Sequence, residues 1–425
     1  MFRIALFDNL FRRPPFLYSR CWDLLDRVDG MSHDERMAFK LLQERKILTL
    51  AQSCDRYRGR AGYKLSEVPL LNKDDVRSNP AQFIRKFSFP TTNALTSGTT
   101  GASLRLVRSV SSVVFEQAAM DWILFKVGLN YPASRVAVFR GIDIKKLEDN
   151  RPPFWRLVRP NHLVFSSNHL NRDNVAEFAK ALAEFRPDVL YGYPSVLESL
   201  ERLLRESHHR ISVPFLVTSS ETFATESRKR LSTFFSAISV DIYGQAERAA
   251  MAYSVEPDQY WFLPSYGTIE LLGDREDRDG LEIVGSSYHN SAQLLLRYRT
   301  GDRIGRIENL DEVCLGVRSF GKISGRTNDV LIGPGGQVLS GIDHIPRGLD
   351  NFSRFQFIQH AVDDVEIRAV AAEVPSLADE ADIVARARRK IPSTINLRIN
   401  LSEAPLRSAS GKTPFVVQRI VDGQR

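Results

Sequence analysis

A chain of 425 residues, 43% hydrophobic and 26% charged, is long enough for two or three domains and is neither disordered nor fibrous. Its net charge of +7 fits small polyanionic ligands; the basic residues are spread out, with no recognition-helix, RNA-motif or zinc-finger signature, which argues against a nucleic-acid partner. Cys21, Cys54 and Cys314 are too widely spaced for a disulfide framework or a C-x-x-C metal site, and no run of about eighteen apolar residues exists, so we expect a cytoplasmic protein without membrane insertion.

In chain order, Met1 to Phe11 is too short for a signal peptide and is soon interrupted by Arg12-Arg13-Pro14-Pro15. Phe89 to Leu95 reads as a strand, and Ser103 to Arg108 alternates polar and apolar residues as a second one. Between them lies Thr96-Ser97-Gly98-Thr99-Thr100-Gly101, rich in hydroxyls and glycine. Such a loop can wrap phosphates with hydroxyl donors and with backbone N–H groups freed by glycine. It has no lysine and does not open a helix, so it is not a Walker loop; on its own it also reads as a solvated turn.

From residue 171 the pattern alternates: helix (Val175 to Phe185), strand (Asp188 to Tyr191), helix (Val196 to Leu204), strand (Val213 to Thr218), helix (Thr225 to Phe235) and strand (Ile238 to Tyr243). That order predicts a parallel sheet with crossover helices. Ser195 with Glu198 three residues on predicts a capping box, so Ser195 reads as a structural cap and not as a nucleophile. Ligands bind such sheets at the C-terminal ends of strands. Tyr191-Gly192-Tyr193-Pro194, Ser219-Ser220-Glu221 and Tyr243 to Glu247 all fall at such ends. Past Gly325 the character changes to a small α+β unit: strands at Phe355 to Ile358, Val365 to Arg368 and Asn396 to Leu401, and a helix from Ala378 to Ile391.

These pieces, followed by Tyr298-Arg299-Thr300-Gly301-Asp302, Gly325-Arg326-Thr327-Asn328-Asp329 and Ser410-Gly411-Lys412, resemble the adenylate-forming superfamily of acyl-CoA synthetases. Phe165-Ser166-Ser167-Asn168-His169-Leu170 and the Tyr191 and Ser219 loops most resemble its phenylacetate-CoA ligase branch and the capsular-polysaccharide-biosynthesis relatives. The resemblance implies an α/β large N-terminal domain with mixed and parallel sheets (residues 1–325) and a small, mobile α+β C-terminal domain (326–425). It implies an ATP-dependent, AMP-forming ligase for a small-molecule carboxylate. The acyl group would pass to coenzyme A or, alternatively, to an amine; a degenerate binding protein on the same fold is the third reading.

By the same resemblance, Glu247 would hold Mg2+ against the phosphates and Lys412 would bridge the reacting carboxylate and the α-phosphate. Nucleotide contacts would come from Thr96, Ser97, Gly98, Thr99, Thr100, Gly101, Ser220, Glu221, Tyr243, Gly244, Gln245, Asp302 and Arg326, with Asp302 on the ribose hydroxyls. Locally, Tyr243 also reads as a half-buried strand-end residue, Asp302 as a turn residue and Lys412 as a solvated one. Tyr191, Tyr193 and Pro194, with Phe223, would wall the acid pocket or pack the sheet end, and Asn328 would be the hinge. Three departures stand out: Gln245 replaces a frequent Thr, Asn328 a charged hinge residue, and Ala249 to Phe262 lacks the cysteine and histidine of a zinc cluster. We therefore expect no structural zinc, and read His162, His169, His289, His344 and His360 as packing or loop histidines.

Overall fold

A computed structural model describes residues 11–59, 62–86, 90–95, 104–142, 144–146, 148–273, 280–324, 331–339, 342, 345–346, 349, 351–371, 377–402, 406 and 415–420. The chain forms two compact units, the first from Met1–Ala94, Leu104–Ala133 and Ser239–Arg326, the second from Leu95–Ser103, Ser134–Ile238 and Thr327–Arg425.

The first unit opens with α1 (Pro15–Asp29), which starts on a proline, stops at Gly30 and buries Cys21, Leu25 and Val28 along one face. In α2 (His33–Ala51), Ser32 and Glu35 form a capping box. After α3 (Lys73–Ser78), β1 (Thr91–Leu95) and β2 (Arg105–Ser109) pair with each other on either side of the Ser/Thr/Gly loop, as the alternation predicts. In α4 (Val110–Lys126), buried Asp121 accepts from Arg13 Nε at 2.6 Å and Tyr18 OH at 2.8 Å, which ties α1 to α4.

The second unit then takes β3 (Val136–Phe139), β4 (Trp155–Arg159), β5 (His162–Phe165), α5 (Val175–Phe185), β6 (Val189–Gly192), α6 (Pro194–Glu206), β7 (Phe215–Ser219) and α7 (Thr225–Phe235). Strands β7, β6, β3 and β5 lie parallel in that order, with β4 antiparallel at the edge. This is the expected crossover arrangement. Its helices bury one stripe each, for α5 Val175, Phe178, Ala179 and Leu182, and the rings of Phe139, Phe165 and Phe178 stack in the core. Gly192 lets the end of β6 press on β3, since a Cβ there would meet Phe139 O at 2.8 Å.

The chain returns to the first unit with β8 (Ile238–Gly244), β9 (Met251–Ser254) and β10 (Tyr260–Phe262), antiparallel neighbours. A second antiparallel sheet holds β11 (Gly267–Leu272), β12 (Leu281–Ser287), β13 (Tyr298–Ile304) and, after α8 (Leu310–Cys314), β14 (Ile323–Ser324). The second unit closes with β15 (Leu331–Ile332), β16 (Val338–Leu339), β17 (Phe352–Ala361), β18 (Asp364–Ala371), α9 (Leu377–Ala387), β19 (Asn396–Ser402) and β20 (Val416–Gln418). Its last sheet, β19-β18-β17-β20, has its own core of Phe355, Phe357, Ile367, Ile383 and Ile391.

Two expectations shift. The helix read to Ile391 stops at Ala387, because Pro392 disfavours helical geometry at 391, and Arg388 instead donates to the carbonyls of Pro392 and Ile395. Ser195 is not the N-cap of α6; the helix starts at Pro194 with Tyr193 as its cap residue. The acceptor for its first turn is Glu221, whose two carboxylate oxygens take Ser195 N–H and Oγ–H at 3.0 Å each. Among the described residues no helix is long and apolar enough to cross a membrane.

Candidate active site

In the first unit the chemistry gathers where β8 ends and β13 passes. Tyr243, at the end of β8, donates its hydroxyl to Asp302 Oδ2 at 2.8 Å, and Asp302 is only 3% exposed. The preceding Gly301 is left-handed, φ 77°, and Thr300 Oγ1 accepts Asp302 N–H at 3.1 Å, so a tight turn inside β13 aims the carboxylate. Four residues beyond Tyr243, half-buried Glu247 accepts the hydroxyl of Tyr298 at 2.8 Å. The structure therefore brings Tyr243 to Asp302 and Glu247 to Tyr298; the motifs name three of these residues, and Tyr298 opens the Tyr-Arg-Thr-Gly-Asp string.

The loop from Gly244 to Ala250 is clamped from several sides. Gln245 is buried, and with its amide oriented so that both ends find partners it donates to Ala250 O at 2.7 Å and accepts Ala250 N–H at 3.2 Å, closing the loop on itself. That fixes what the departure from threonine does: the amide serves the backbone. Gly285 on β12 lies so close that a Cβ would come 2.3 Å from Ala249 O. Arg248, left-handed at φ 58°, donates to Ser112 Oγ at 2.9 Å and faces Glu116 at 3.6 Å, while Arg108 from β2 donates to Ala246 O. Burial and the neighbouring Arg248 charge pull the Arg108 guanidinium down to about 10, while Glu116 and Glu247 act in the opposite direction.

His289 is a packing histidine, as expected. Its ring stacks on Phe115 with centroids 3.4 Å apart, Nε2–H donates to Ser265 O at 2.7 Å, and burial lowers its pKa to about 4. Asn290 beside it bonds Val107 O and Ser109 N–H of β2, at 3.0 Å each, and so anchors the strand that follows the Ser/Thr/Gly loop.

In the second unit, Tyr191, Tyr193, Pro194, Ser220 and Glu221 stand at the ends of β6 and β7. Pro194 is buried in the first turn of α6, and Ser220 is left-handed at φ 74°, a conformation that costs a non-glycine residue energy and recurs at functional sites. One residue the motifs do not name joins them. Arg140, directly after β3, donates to Tyr191 OH at 2.6 Å and to Ser220 Oγ at 3.1 Å. Its guanidinium carbon lies 4.8 Å from the Tyr191 ring centroid and 5.2 Å from that of Tyr193. Its one sequence signal is position: it ends the apolar run Val136 to Phe139, at the same edge as the loops already singled out. Next to it, buried Lys390 donates to Gly141 O at 2.8 Å, and Arg202 donates to Gly336 O at 3.0 Å. Both bonds join the C-terminal segment to the parallel-sheet segment within this unit.

Thr96, Ser97, Gly98, Thr99, Thr100, Gly101, Arg326, Asn328 and Lys412 lie outside the described residues. Among the described residues no group of three or more His, Cys, Asp or Glu is placed to hold a metal ion. A groove of about 830 Å³ along α2, bordered by Leu41, Glu44, Tyr63 and Glu270, contains none of the residues read as functional.

No protein-family model matches the chain. It is 22% identical to Protein CapK of Staphylococcus aureus over 374 residues, which is 84% of this chain and 80% of that protein. Among solved structures it is similar to 2-hydroxyisobutyryl-CoA ligase in complex with 2-HIB-AMP and CoA in the thioesterification state, with a TM-score of 0.55 and 16% identity over 92% of each chain. An open conformation of the same ligase gives a TM-score of 0.50 at 16% identity, covering 91% of this chain and 92% of that one.

Proposed function

We propose, from the premise that this chain has the adenylate-forming ligase fold and is similar to Protein CapK, that it activates a small carboxylic acid with ATP and hands the acyl group to coenzyme A. In the first step a carboxylate oxygen attacks the α-phosphorus, the bond to the β-phosphate oxygen breaks, and pyrophosphate leaves. In the second a thiolate attacks the acyl carbonyl, and AMP departs with the electron pair of the broken C–O bond.

The observation that carries this reading is the pair of carboxylates, Glu247 just past β8 and Asp302 within β13, each held by a tyrosine hydroxyl. Asp302, buried and acceptor-only, suits two ribose hydroxyls, with Tyr243 beside it for the adenine. Glu247 is a hard oxygen donor held by Tyr298, which fits a Mg2+ bound by one carboxylate and substrate phosphates; the ion would neutralise phosphate charge. The loop from Thr96 to Gly101, with Gly244, would supply N–H and hydroxyl donors to the phosphates, Ser220 and Glu221 would border the nucleotide, and Arg326 would add a cation. Lys412 would lie between the attacking carboxylate and the α-phosphate. In this reading residues 1–325 form the adenylation domain and 326–425 turn about Asn328 between the half-reactions. The alternative acceptor that the sequence resemblance implies is an amine, on a sugar or amino acid, with the adenylation step unchanged.

The test is release of AMP and pyrophosphate from ATP and Mg2+ over a panel of carboxylic acids, followed by product mass spectrometry with coenzyme A and then with amines. A thioester supports the first reading and an amide the second. ATP left intact with every acid refutes both.

A further inference from the structure

Arg297, the residue before Tyr298, has a left-handed backbone at φ 51°, a conformation that costs energy for any residue with a Cβ and persists only where the surroundings over-determine it. Here they do. Its N–H donates to Ser286 Oγ at 2.7 Å and its carbonyl accepts Leu71 N–H at 3.0 Å. Its guanidinium forks onto Glu270 of β11, from Nε to Oε1 at 2.9 Å and from one terminal nitrogen to Oε2 at 2.7 Å. The other terminal nitrogen donates to Ser66 O at 2.8 Å and to Val68 O at 2.7 Å. Side-chain exposure is 13% for Arg297 and 21% for Glu270, so water competes little for these bonds, and a bidentate pair fixes direction as well as distance.

The side chain that this clamp aims is Tyr298. Arg299 N–H donates to Leu71 O at 2.9 Å, so the backbone is pinned on both sides of the tyrosine, and a rotation at Arg297 would swing its ring. That ring carries the hydroxyl 2.8 Å from Glu247 Oε1. We propose that Arg297 is a positioning residue: through its fork on Glu270 it sets Tyr298, and through Tyr298 it sets the Glu247 carboxylate for the metal-bound nucleotide. The inference rests on the adenylation reading, with Glu247 as the Mg2+ ligand within it. A clip that merely joined β11 to the segment before α3 would use the same bonds, but the effect of losing it would not pass through one hydroxyl.

The experiment titrates the full chain with ATP by calorimetry, without any acid, once in Mg2+ and once in EDTA. The ratio of the two affinities reads the metal-dependent part of binding apart from turnover. The wild type should bind ATP about tenfold or more tightly with Mg2+. Arg297→Met should cut that ratio by about threefold to tenfold, less than the loss of a metal ligand's direct partner, and leave the affinity in EDTA within about twofold. In a Tyr298→Phe background the same substitution should change the ratio by less than about twofold, because the hydroxyl through which it acts is gone. Glu270→Gln, which leaves the bonds to Ser66 and Val68 in place, should reproduce the effect and carries the test if the methionine variant does not fold. Arg297→Lys, a point charge without the fork, should recover only part of the ratio. A wild-type ratio in a folded Arg297→Met or Glu270→Gln protein overturns the proposal, as does an equal loss with and without the Tyr298 hydroxyl. A wild type whose ATP affinity ignores Mg2+ overturns it together with the assignment of the metal to Glu247. If the ratio falls as expected but no acid supports ATP–pyrophosphate exchange, the adenylation reading fails and the positioning of Glu247 stands.

Discussion

Replacing Tyr298 by phenylalanine isolates the bond that orients Glu247. Tyr298 is 2% exposed, and its ring packs among Leu71, Leu294, Leu296 and Ala249, all of which phenylalanine preserves. Only the hydroxyl that donates to Glu247 Oε1 at 2.8 Å is lost. A hydrogen bond to a charged acceptor contributes about 1.5–3 kcal/mol net. Glu247 is half-buried, so water replaces part of the bond and the lower end applies, about 1.5 kcal/mol or roughly tenfold in an equilibrium constant. If Glu247 holds Mg2+ in the reaction, that loss falls on the metal. In ATP–pyrophosphate exchange titrated with Mg2+, the half-saturating concentration should rise about tenfold, with the rate at saturating Mg2+ within about threefold of wild type. Glu247→Gln, which removes the charge itself, should lose the rate about a hundredfold even at high Mg2+. An unchanged Mg2+ requirement in a folded Tyr298→Phe protein would refute the chain of reasoning from this bond to the metal.

Gly285→Ala should drive a Cβ into Ala249 O, cost about 1–3 kcal/mol by overpacking and raise the Mg2+ requirement in the same assay; an unshifted unfolding midpoint would show that the loop has room. His289 has its pKa lowered by burial from 6.5 to about 4, so its contribution to stability is complete above pH 6.5 and drains away as pH falls toward 4, where the unfolded chain binds a proton the native one refuses. The loss should reach about 3 kcal/mol by pH 4; unfolding midpoints against pH should fall along this limb, and His289→Gln should flatten it. Lys412→Ala should cut carboxylate-dependent pyrophosphate exchange a hundredfold or more, about 3 kcal/mol, yet leave transfer from a chemically supplied acyl adenylate near wild type; undiminished exchange would make Lys412 a solvated residue only.

What the sequence revealed and what it hid divide along a physical line. The helix from Thr225 to Phe235 and the strands on either side of the Ser/Thr/Gly loop were legible because helix and strand impose periods of 3.6 and 2 on neighbouring residues. The Ser195-x-x-Glu198 spacing misled for the same reason. It is a local pattern, whereas the acceptor that serves α6 is Glu221, 26 residues on, delivered by the end of another strand. Arg140 was invisible because nothing near it in sequence explains it; its partners Tyr191 and Ser220 lie 51 and 80 residues away. Tyr298 lies 51 residues from Glu247, and only the return of β13 beside the loop joins them. A parallel sheet with crossovers necessarily gathers residues from distant segments at one row of strand ends. Motif reading finds those strand ends one at a time, since each carries its own turn chemistry, but the bonds that convert them into a site run across the row and leave no periodic trace. The Tyr243–Asp302 bond illustrates the limit: two motifs predicted both residues, and neither predicted that the tyrosine donates its hydroxyl to one oxygen of that carboxylate. If Asp302 takes the ribose hydroxyls, as we propose, they would share or displace that donor, so the tyrosine would both preset the carboxylate and compete for it.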